Sequence, residues 1–308
     1  MANEITFANL TGDLRISAVL HQEMQLLLAD RFSLMNHPSV IYMGDMAGRG
    51  STALDVPLVG LDGYDRMAAV GTETTAVANT ALTDSSQTIT IARQALRRAI
   101  TDLASLTDSV GLNVQSLAED MVGAARMRWQ ELLCNLLDDF SNTIGTSGVN
   151  LSVDDFMDAI YTLEQNSVPG PYVCVLHPVQ LTDLQNSLRG ESGPLQFVSA
   201  TQEMISAKGQ GYVGSFCNVD IYSSSLVPTA NAGADRASGM WGRGAIGYAD
   251  GSMSEIIGAG GIQLPVGTKI AVEFERDSAF AYTYVTGNYY VGMAELQDTM
   301  GVSIITDA

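Results

Sequence analysis

Apolar residues recur at every third or fourth position across residues 113–141, which is the clearest pattern in the chain. They fall at Val114, Leu117, Met121, Ala125, Trp129, Leu132, Leu136 and Phe140. Because charged side chains lie mostly off this stripe, it predicts an amphipathic helix, roughly 42 Å long at 1.5 Å per residue. Gly123 interrupts the helix at a cost of about 1 kcal/mol relative to alanine, so we expect another element to pack closely there.

The first hundred residues predict a helix followed by a long hairpin. Apolar periodicity indicates a helix over residues 12–35, and His37-Pro38 ends it. Two strand-like pieces, Thr52 to Val59 and Gln87 to Ala92, then flank a polar stretch with few large apolar side chains. This pattern predicts an extended hairpin arm with a polar tip. Because an isolated two-stranded hairpin is marginal in water, we expect surfaces outside the arm to stabilise it.

Residues 151–250 alternate between helical and strand patterns. Ser152 is suited to cap a helix that carries acidic residues in its first turn. The continuous apolar run Tyr172 to Leu176 predicts a strand buried on both faces. Pro178 then opens another helix, and Val219 to Tyr222 predicts a further short strand.

The C-terminal part predicts a β-rich region over residues 268–292. Ile270, Val272 and Phe274 alternate with polar or small residues, and aromatic and β-branched residues follow. The sequence Thr286-Gly287-Asn288 predicts a turn between two strands.

Composition narrows the class of protein. The 308 residues include 34 acids and 15 bases, which gives a formal net charge of −19, and 46% are hydrophobic. Such a chain can bury a sizeable core in one large domain or in two to three small ones, and it is not disordered throughout. Its acidity argues against a protein that binds phosphate through a basic face. Three widely spaced cysteines predict a reducing compartment, and we expect neither a signal peptide nor a membrane span.

Candidate catalytic and cofactor motifs are weak. Two stretches match G-x-G-x-x-G, at Gly209, Gly211 and Gly214 and at Gly242, Gly244 and Gly247. Neither is followed by helical periodicity, so we interpret these glycines as turn and strand residues. Cys174 lies in the middle of an apolar strand, which predicts a small buried side chain. Asp154, Asp155 and Asp158 lie at a predicted helix start, which explains them without a metal. We therefore expect no catalytic residue, no metal and no cofactor.

Arg93, Arg97 and Arg98 form the densest basic cluster, at the base of the predicted arm. In this acidic background we expect them to pair with carboxylates of this chain or of a neighbouring one. Together with Tyr64, Asp65 and Arg66 of the arm, they are our candidate inter-subunit contacts.

The order of these parts resembles the Hong Kong 97-type major capsid proteins of tailed bacteriophages, over nearly the whole chain. Four stretches carry the resemblance: VCVLHPVQLTDL (173–184), GYVGSFCNVDIYSSSLVP (211–228), WGRGAIGYADG (241–251) and VEFERD (272–277). The resemblance implies an α+β capsid fold with an N-terminal arm, an extended β-hairpin loop, a long spine helix, an axial α/β domain and a β-rich peripheral domain. The implied ranges are arm 1–47, loop 48–95, peripheral domain 96–149 and 251–308 with spine helix 113–141, and axial domain 150–250.

The same resemblance implies a structural function without catalysis. Subunits would assemble as hexamers and pentamers into an icosahedral shell enclosing double-stranded DNA without sequence-specific binding. Implied partners are other copies, a separate scaffolding protein, a portal protein and, as an open question, a decoration protein; no membrane is implied. The implied location is the virion capsid, assembled in the cytoplasm of the bacterial host. With only Lys208 and Lys269, we do not carry over the lysine–asparagine crosslinking of some relatives.

Three alternatives stay open at this point. The first is an encapsulin-like nanocompartment shell that holds a cargo enzyme. The second is a metal-dependent or thiol hydrolase that uses Asp154, Asp155, Cys174 or His177. The third is a tail or fibre adhesin.

Overall fold

The computed structural model describes residues 34, 37–59, 84–102, 114–190, 197–209, 211–256 and 262–307. The strands in chain order are β1 (Val40–Asp45), β2 (Ala53–Val59), β3 (Asp84–Thr90), β4 (Ala92–Thr101), β5 (Thr143–Ile144), β6 (Tyr172–Leu176), β7 (Val198–Ser199), β8 (Tyr212–Phe216), β9 (Val219–Ser223), β10 (Thr229–Ala230), β11 (Asp235–Trp241), β12 (Ile246–Gly251), β13 (Met253–Ile256), β14 (Ile262–Thr268), β15 (Ile270–Asp277), β16 (Tyr282–Glu295) and β17 (Gly301–Asp307). The α-helices are α1 (Val114–Asn135), α2 (Val153–Gln165), α3 (Pro178–Gly190) and α4 (Gln202–Lys208).

The first sheet is built around the long strand β16. β4 pairs with one edge of β16. β15 and β12 pair with the opposite edge, one after the other along its length, and β1 pairs with β12 in parallel. The turn predicted at Thr286-Gly287-Asn288 is wrong, because these residues lie inside β16 and pair with both β4 and β15. The chain instead reverses between Asp277 and Tyr282, where Ala281 has a φ of 53°.

Helix α1 packs its buried stripe against one face of this sheet. Met121, Val122, Trp129 and Leu133 join the main core cluster together with Val272, Val285 and Tyr289 of the sheet. The helix ends at Asn135, before the predicted 141, yet Leu137 and Phe140 are still buried in the same core because a turn follows directly. The apolar periodicity therefore extends along the sequence beyond the end of the helix.

Close packing on α1 occurs at a different glycine from the one predicted. A Cβ added to Gly123 would meet no atom within 4 Å, so the expected close approach there is wrong. Gly287 on β16 lies directly under Met121, and a Cβ at that position would collide with the Met121 sulfur. The missing side chain at Gly287 leaves room for the Met121 side chain between the helix and the sheet.

The second sheet has the order β5-β17-β11-β6-β9-β8-β7, with β10 paired to β11. All five residues of β6 are buried, and β6 runs parallel to β9, as the apolar run predicted. Helices α2 and α3 contribute Phe156, Leu163 and Leu184 to a core cluster on one side of this sheet. The other side, through Val173 and Val175, joins the cluster that holds α1.

The predicted cap of α2 is confirmed. The Ser152 hydroxyl accepts the Asp155 backbone N–H at 3.1 Å, and the Asp155 carboxylate accepts the Ser152 backbone N–H at 3.1 Å. This reciprocal arrangement satisfies donors that a helix start leaves open. The acidic residues at this point thus serve the helix.

Strands β2 and β3 form the predicted arm. They pair antiparallel from Ala53↔Thr90 to Val59↔Asp84. The arm tip beyond Val59 and the helix predicted over residues 12–35, apart from Leu34, lie outside the described residues.

The predicted domain ranges stay a prediction, and strand pairing crosses them. β12, in the range assigned to the axial domain, pairs with β16 of the peripheral range. β17, in the peripheral range, pairs with β11 and β5 in the second sheet. Within the described residues, no helix is both long and apolar enough to cross a membrane.

Candidate assembly surface

The base of the arm docks onto the first sheet of its own subunit. Ile89 of β3 is fully buried and packs with Val56 of β2, and with Met46, Ala249 and Leu296. Gly292 of β16 lets the strand pass close, since a Cβ there would collide with the Thr90 carbonyl oxygen. Burial of this small cluster gives the hairpin the outside support that a lone hairpin lacks.

The other face of the arm base is polar and open to solvent. Asp55, Pro57, Ser86 and Thr88 are exposed, and the Thr88 hydroxyl donates to the Asp55 carboxylate at 2.6 Å. The alternation of buried Ile89 with exposed neighbours follows the two-residue period of a strand. One face of the arm base is therefore packed against the first sheet, and the other face is exposed to solvent.

The three predicted arginines lie on β4, on two faces of the sheet. Arg98 lies opposite Val285, which is buried under α1, and Arg97 lies opposite Thr286. Since directly opposed residues share a face, Arg98 is on the helix side, and Arg93 and Arg97 are on the outer side. We call the outer side the β4/β16 outer face.

Pairing of Arg97 and Arg98 with carboxylates of this chain is confirmed. Arg97 Nη2 donates to Glu275 Oε2 at 2.6 Å, and its guanidinium lies 3.8 Å from the Tyr284 ring centroid. Arg98 makes two hydrogen bonds to Asp120 of α1, at 2.9 and 3.0 Å. Arg93 instead donates to the Asn288 side-chain oxygen at 2.8 Å. Because Arg97 and Arg98 are half exposed, their pairs add little to subunit stability.

Aromatic rings extend the β4/β16 outer face toward the end of the β15–β16 hairpin. Phe280 stacks on Tyr282 with centroids 6.1 Å apart, and Tyr282 meets Tyr284 edge-on at 6.1 Å. Phe280 is 67% exposed. Tyrosine, phenylalanine and arginine are enriched at protein interfaces, so the composition of this face suits contact with another protein surface.

Both lysines of the chain are held by buried aspartates. Lys208 Nζ contacts the two carboxylate oxygens of Asp220 at 2.6 and 2.7 Å. Lys269 Nζ lies 2.5 Å from Asp250, which is 1% exposed and also accepts the Tyr42 hydroxyl at 2.7 Å. No local sequence pattern indicates the Tyr42–Asp250–Lys269 cluster, because Tyr42 and Asp250 are 208 positions apart and are brought together by the pairing of β1 with β12.

A second group that sequence reasoning missed is acidic. Partial burial, with Asp298 and Asp139 close by, raises the pKa of Glu295 to about 7. The Asp298 carboxylate also accepts the Ser141 backbone N–H at 2.7 Å. These residues come from the end of β16 and the segment after α1, which no local sequence pattern connects.

Two of the candidate catalytic residues, Cys174 and Asp155, have structural roles. Cys174 is fully buried, and burial strongly raises the pKa of its thiol, which disfavours the thiolate needed for attack. The predicted interpretation of Cys174 as a buried side chain is confirmed. Asp155 is used in the cap of α2. Among the described residues, no group of three His, Cys, Asp or Glu side chains is arranged to hold a metal ion.

The glycine motifs are turn and strand residues, as predicted. Gly209, Gly211 and Gly244 have φ values of 91°, 93° and 106°, where a side chain is unfavourable. Gly247 lies in β12 against Leu296. Tyr64, Asp65 and Arg66, the other candidate contacts, lie outside the described residues.

No protein-family model matches this sequence, and no curated protein matches it. Many solved structures do share its fold. The capsid of Ralstonia phage GP4 aligns with a TM-score of 0.59 and 16% identity over 88% of this chain and 87% of that chain. The capsid of the cyanophage P-SCSP1u gives 0.58 and 13% over 87% and 86%. The holo-SrpI encapsulin complex from Synechococcus elongatus PCC 7942 gives 0.60 and 14% over 87% and 85%.

The chain therefore has the α+β Hong Kong 97-type capsid fold that the sequence resemblance implied. Two of these neighbours are phage capsids, and the third is an encapsulin complex.

Proposed function

We propose that this chain is the major capsid protein of a tailed bacteriophage, which assembles as hexamers and pentamers into an icosahedral shell around double-stranded DNA. The observation that carries the proposal is the agreement of fold with phage capsids over more than four fifths of both chains. No catalytic step is part of the proposed function.

The subunit surface supports assembly. The base of the arm is packed on the first sheet through one face, and its other, polar face is exposed. The β4/β16 outer face offers tyrosines and arginines. In the proposed shell the arm of one subunit lies over a neighbour, with Arg93, Arg97, Arg98, Tyr64, Asp65 and Arg66 as contacts. Many modest contacts per subunit then add up to a stable shell through avidity.

In the proposed subunit there are five functional parts: an N-terminal arm (1–47), an extended loop (48–95), a spine helix (α1, Val114–Asn135), a peripheral domain (96–149 and 251–308) and an axial domain (150–250). One amendment follows from the strand pairing. β12 belongs with the peripheral sheet and β17 with the axial sheet. The two domains exchange a strand and are therefore linked by more than the spine helix.

The acidity of the chain suits enclosure of DNA without binding it. A net charge of −19 repels phosphate, but beyond a Debye length of roughly 8 Å that repulsion is largely screened. We further propose a separate scaffolding protein during assembly in the host cytoplasm, a portal protein at one vertex and, in the mature virion, space for a decoration protein. Both lysines are held in ion pairs, which supports a shell without lysine crosslinks.

Electron microscopy of the purified chain, expressed alone and together with its scaffolding protein, tests the proposal. We expect closed particles with hexameric and pentameric units. A chain that stays a well-ordered monomer at high concentration in both cases would contradict it. A trimeric fibre would support the adhesin alternative instead.

A second candidate is an encapsulin-like shell, which the match to the SrpI encapsulin complex favours. The contents of the particles distinguish the two. Nuclease-protected double-stranded DNA in particles from the native source supports the phage capsid, whereas a protein cargo without nucleic acid supports the encapsulin.

A further inference from the structure

Helix α2 has one face in the core and one face open to solvent. Phe156, Ala159, Ile160 and Leu163 are buried against the second sheet. On the opposite side, Met157 is 37% exposed and Tyr161 is 62% exposed. Following the helical period, the residues of this side, the α2 outer face, are Asp154, Met157, Asp158, Tyr161, Glu164 and Gln165.

The carboxylates of the α2 outer face are uncompensated. Within the described part of the chain, Asp154, Asp158 and Glu164 form no ion pair, in contrast to Asp155, which serves the helix cap. The sequence from residue 129 to residue 188 contains eight acids and no lysine or arginine. The face therefore combines an apolar centre, Met157 and Tyr161, with a negative rim.

Met157 and Tyr161 are exposed apolar side chains four residues apart on one face of α2, where they can pack against the apolar side chains of another amphipathic helix. Tyrosine at the centre is a frequent hot-spot residue, and rim charges select a partner of opposite sign. A second copy of this chain fits poorly. Its net charge is −19 with only 15 bases, and six of these bases already pair with carboxylates of their own chain: Arg97, Arg98, Arg128, Lys208, Lys269 and Arg276.

We propose that the α2 outer face binds a lysine- or arginine-rich amphipathic helix of a different protein. Apolar side chains of that helix pack on Met157 and Tyr161, and its cations lie opposite Asp154, Asp158 and Glu164. This interaction is additional to the shell-forming contacts and does not depend on them.

A labelled amphipathic helical peptide of leucine and lysine is the probe, and its binding to the full chain is measured by fluorescence anisotropy. A peptide with glutamate in place of each lysine is expected not to bind. We expect Asp158→Asn with Glu164→Gln to weaken binding of the lysine peptide about fivefold to tenfold by removing rim charge. Tyr161→Ser is expected to weaken it about tenfold by removing the central anchor.

Matched variants separate this face from the general acidity of the chain. Glu119→Gln with Asp138→Asn removes two exposed carboxylates elsewhere in the chain. Because Phe280 belongs to the β4/β16 outer face, the apolar control is Met127→Ser on α1, where Met127 is 59% exposed. The carboxylate control and the Met127→Ser control are both expected to bind the peptide as the unaltered chain does. Equal weakening by the controls would overturn the proposal. Loss of shell assembly in the Asp158/Glu164 variant, without the peptide, would also overturn it by showing a contact between copies, whereas normal shells with weakened peptide binding support it.

Discussion

At the scale of single residues, buried charge is matched by specific partners. Asp250 is 1% exposed and is compensated by Lys269 Nζ at 2.5 Å and by the Tyr42 hydroxyl at 2.7 Å. A buried pair of this kind contributes little relative to apolar residues, but removal of one partner leaves an uncompensated charge.

Lys269→Met is expected to lower the free energy of unfolding by about 3 kcal/mol, because Asp250 then stays buried without its cation. Adding Asp250→Asn to that variant should recover a large part of the loss. Urea unfolding of the single and double variants measures both effects. Arg276→Met, which removes the exposed pair with Asp102, should change stability little, and a comparable loss there would contradict the role of burial.

Glu295 makes stability depend on pH near neutrality. Partial burial, then the negative charge of Asp298, raises its pKa from 4.5 to about 7 in the folded chain. The stability that the protonated group contributes is full below about pH 4.5 and is lost as pH rises through about 7.

Glu295→Gln cannot ionise, so the variant should gain stability relative to the unaltered chain as pH rises from 4.5 to 7. Thermal unfolding at a series of pH values measures this difference. A difference that stays constant over the whole range would show that Glu295 ionises normally.

The roles of single residues could be predicted from the sequence only where they depend on nearby residues. Cys174, Ser152 and Asp155 were predictable because their roles depend on neighbours within a strand or one helical turn. The Tyr42–Asp250–Lys269 cluster was not, since it depends on β1 pairing with β12. The observed pairing of Arg97 and Arg98 with carboxylates was predicted, but the partners Glu275 and Asp120 were not.

At the scale of elements, two glycines have opposite roles. Gly123 lies in α1 with open space around its Cα, whereas Gly287 lies where α1 crosses β16. When only the local sequence is known, a glycine next to an asparagine inside a strand predicts a turn. This ambiguity explains why the turn predicted at Thr286-Gly287-Asn288 is wrong. Gly287 makes room for Met121, which is 166 positions away in the sequence, and a local pattern cannot predict such a contact.

Gly123→Ala is expected to stabilise the subunit by about 1 kcal/mol through helix propensity. Gly287→Ala is expected to destabilise it slightly, because the new methyl group forces the flexible Met121 side chain to shift its sulfur within the core. Both effects are read as shifts in Tm. Destabilisation by Gly123→Ala would indicate a close contact at that point after all.

Gln180 joins α3 to the second sheet through a buried hydrogen-bond network. It is fully buried; its Nε2 donates to the Thr306 hydroxyl at 2.7 Å and to the Arg236 carbonyl at 3.1 Å. Its side-chain oxygen accepts the His177 backbone N–H at 3.3 Å and the Ser238 hydroxyl.

Gln180→Ala leaves these groups unsatisfied in the core and is expected to cost about 2 kcal/mol. Chemical denaturation measures the change. Asn186→Ala, on the exposed side of the same helix, is the control and should cost little. Since alanine has the highest helix propensity, equal losses in the two variants would show that the buried network is not the cause.

At the scale of the whole molecule, the order of parts was predictable and their pairing was not. A long amphipathic helix, a hairpin arm, an α/β region and a β-rich end follow from local periodicity. The exchange of β12 and β17 between the two sheets follows from contacts between distant segments. The arm tip and the N-terminal helix stay predictions.

Charge reversal at the arm base tests assembly. Arg97→Glu with Arg98→Glu should prevent shell formation while the subunit stays folded, because both side chains are half exposed and carry little of its stability. Electron microscopy and circular dichroism together measure the two outcomes. Normal shells from this variant would remove these arginines from the proposed contacts.

The hairpin between β8 and β9 gives the molecule a single accessible site for thiol labelling. Its two-residue turn, Cys217-Asn218, has φ values of 47° and 65° and presents the one exposed cysteine, whereas Cys134 and Cys174 are buried. Partial burial raises the pKa of the Cys217 thiol, so maleimide coupling at mildly alkaline pH should mark each subunit once. A closed particle would then display dyes or peptides in a regular array, with a spacing set by its own symmetry.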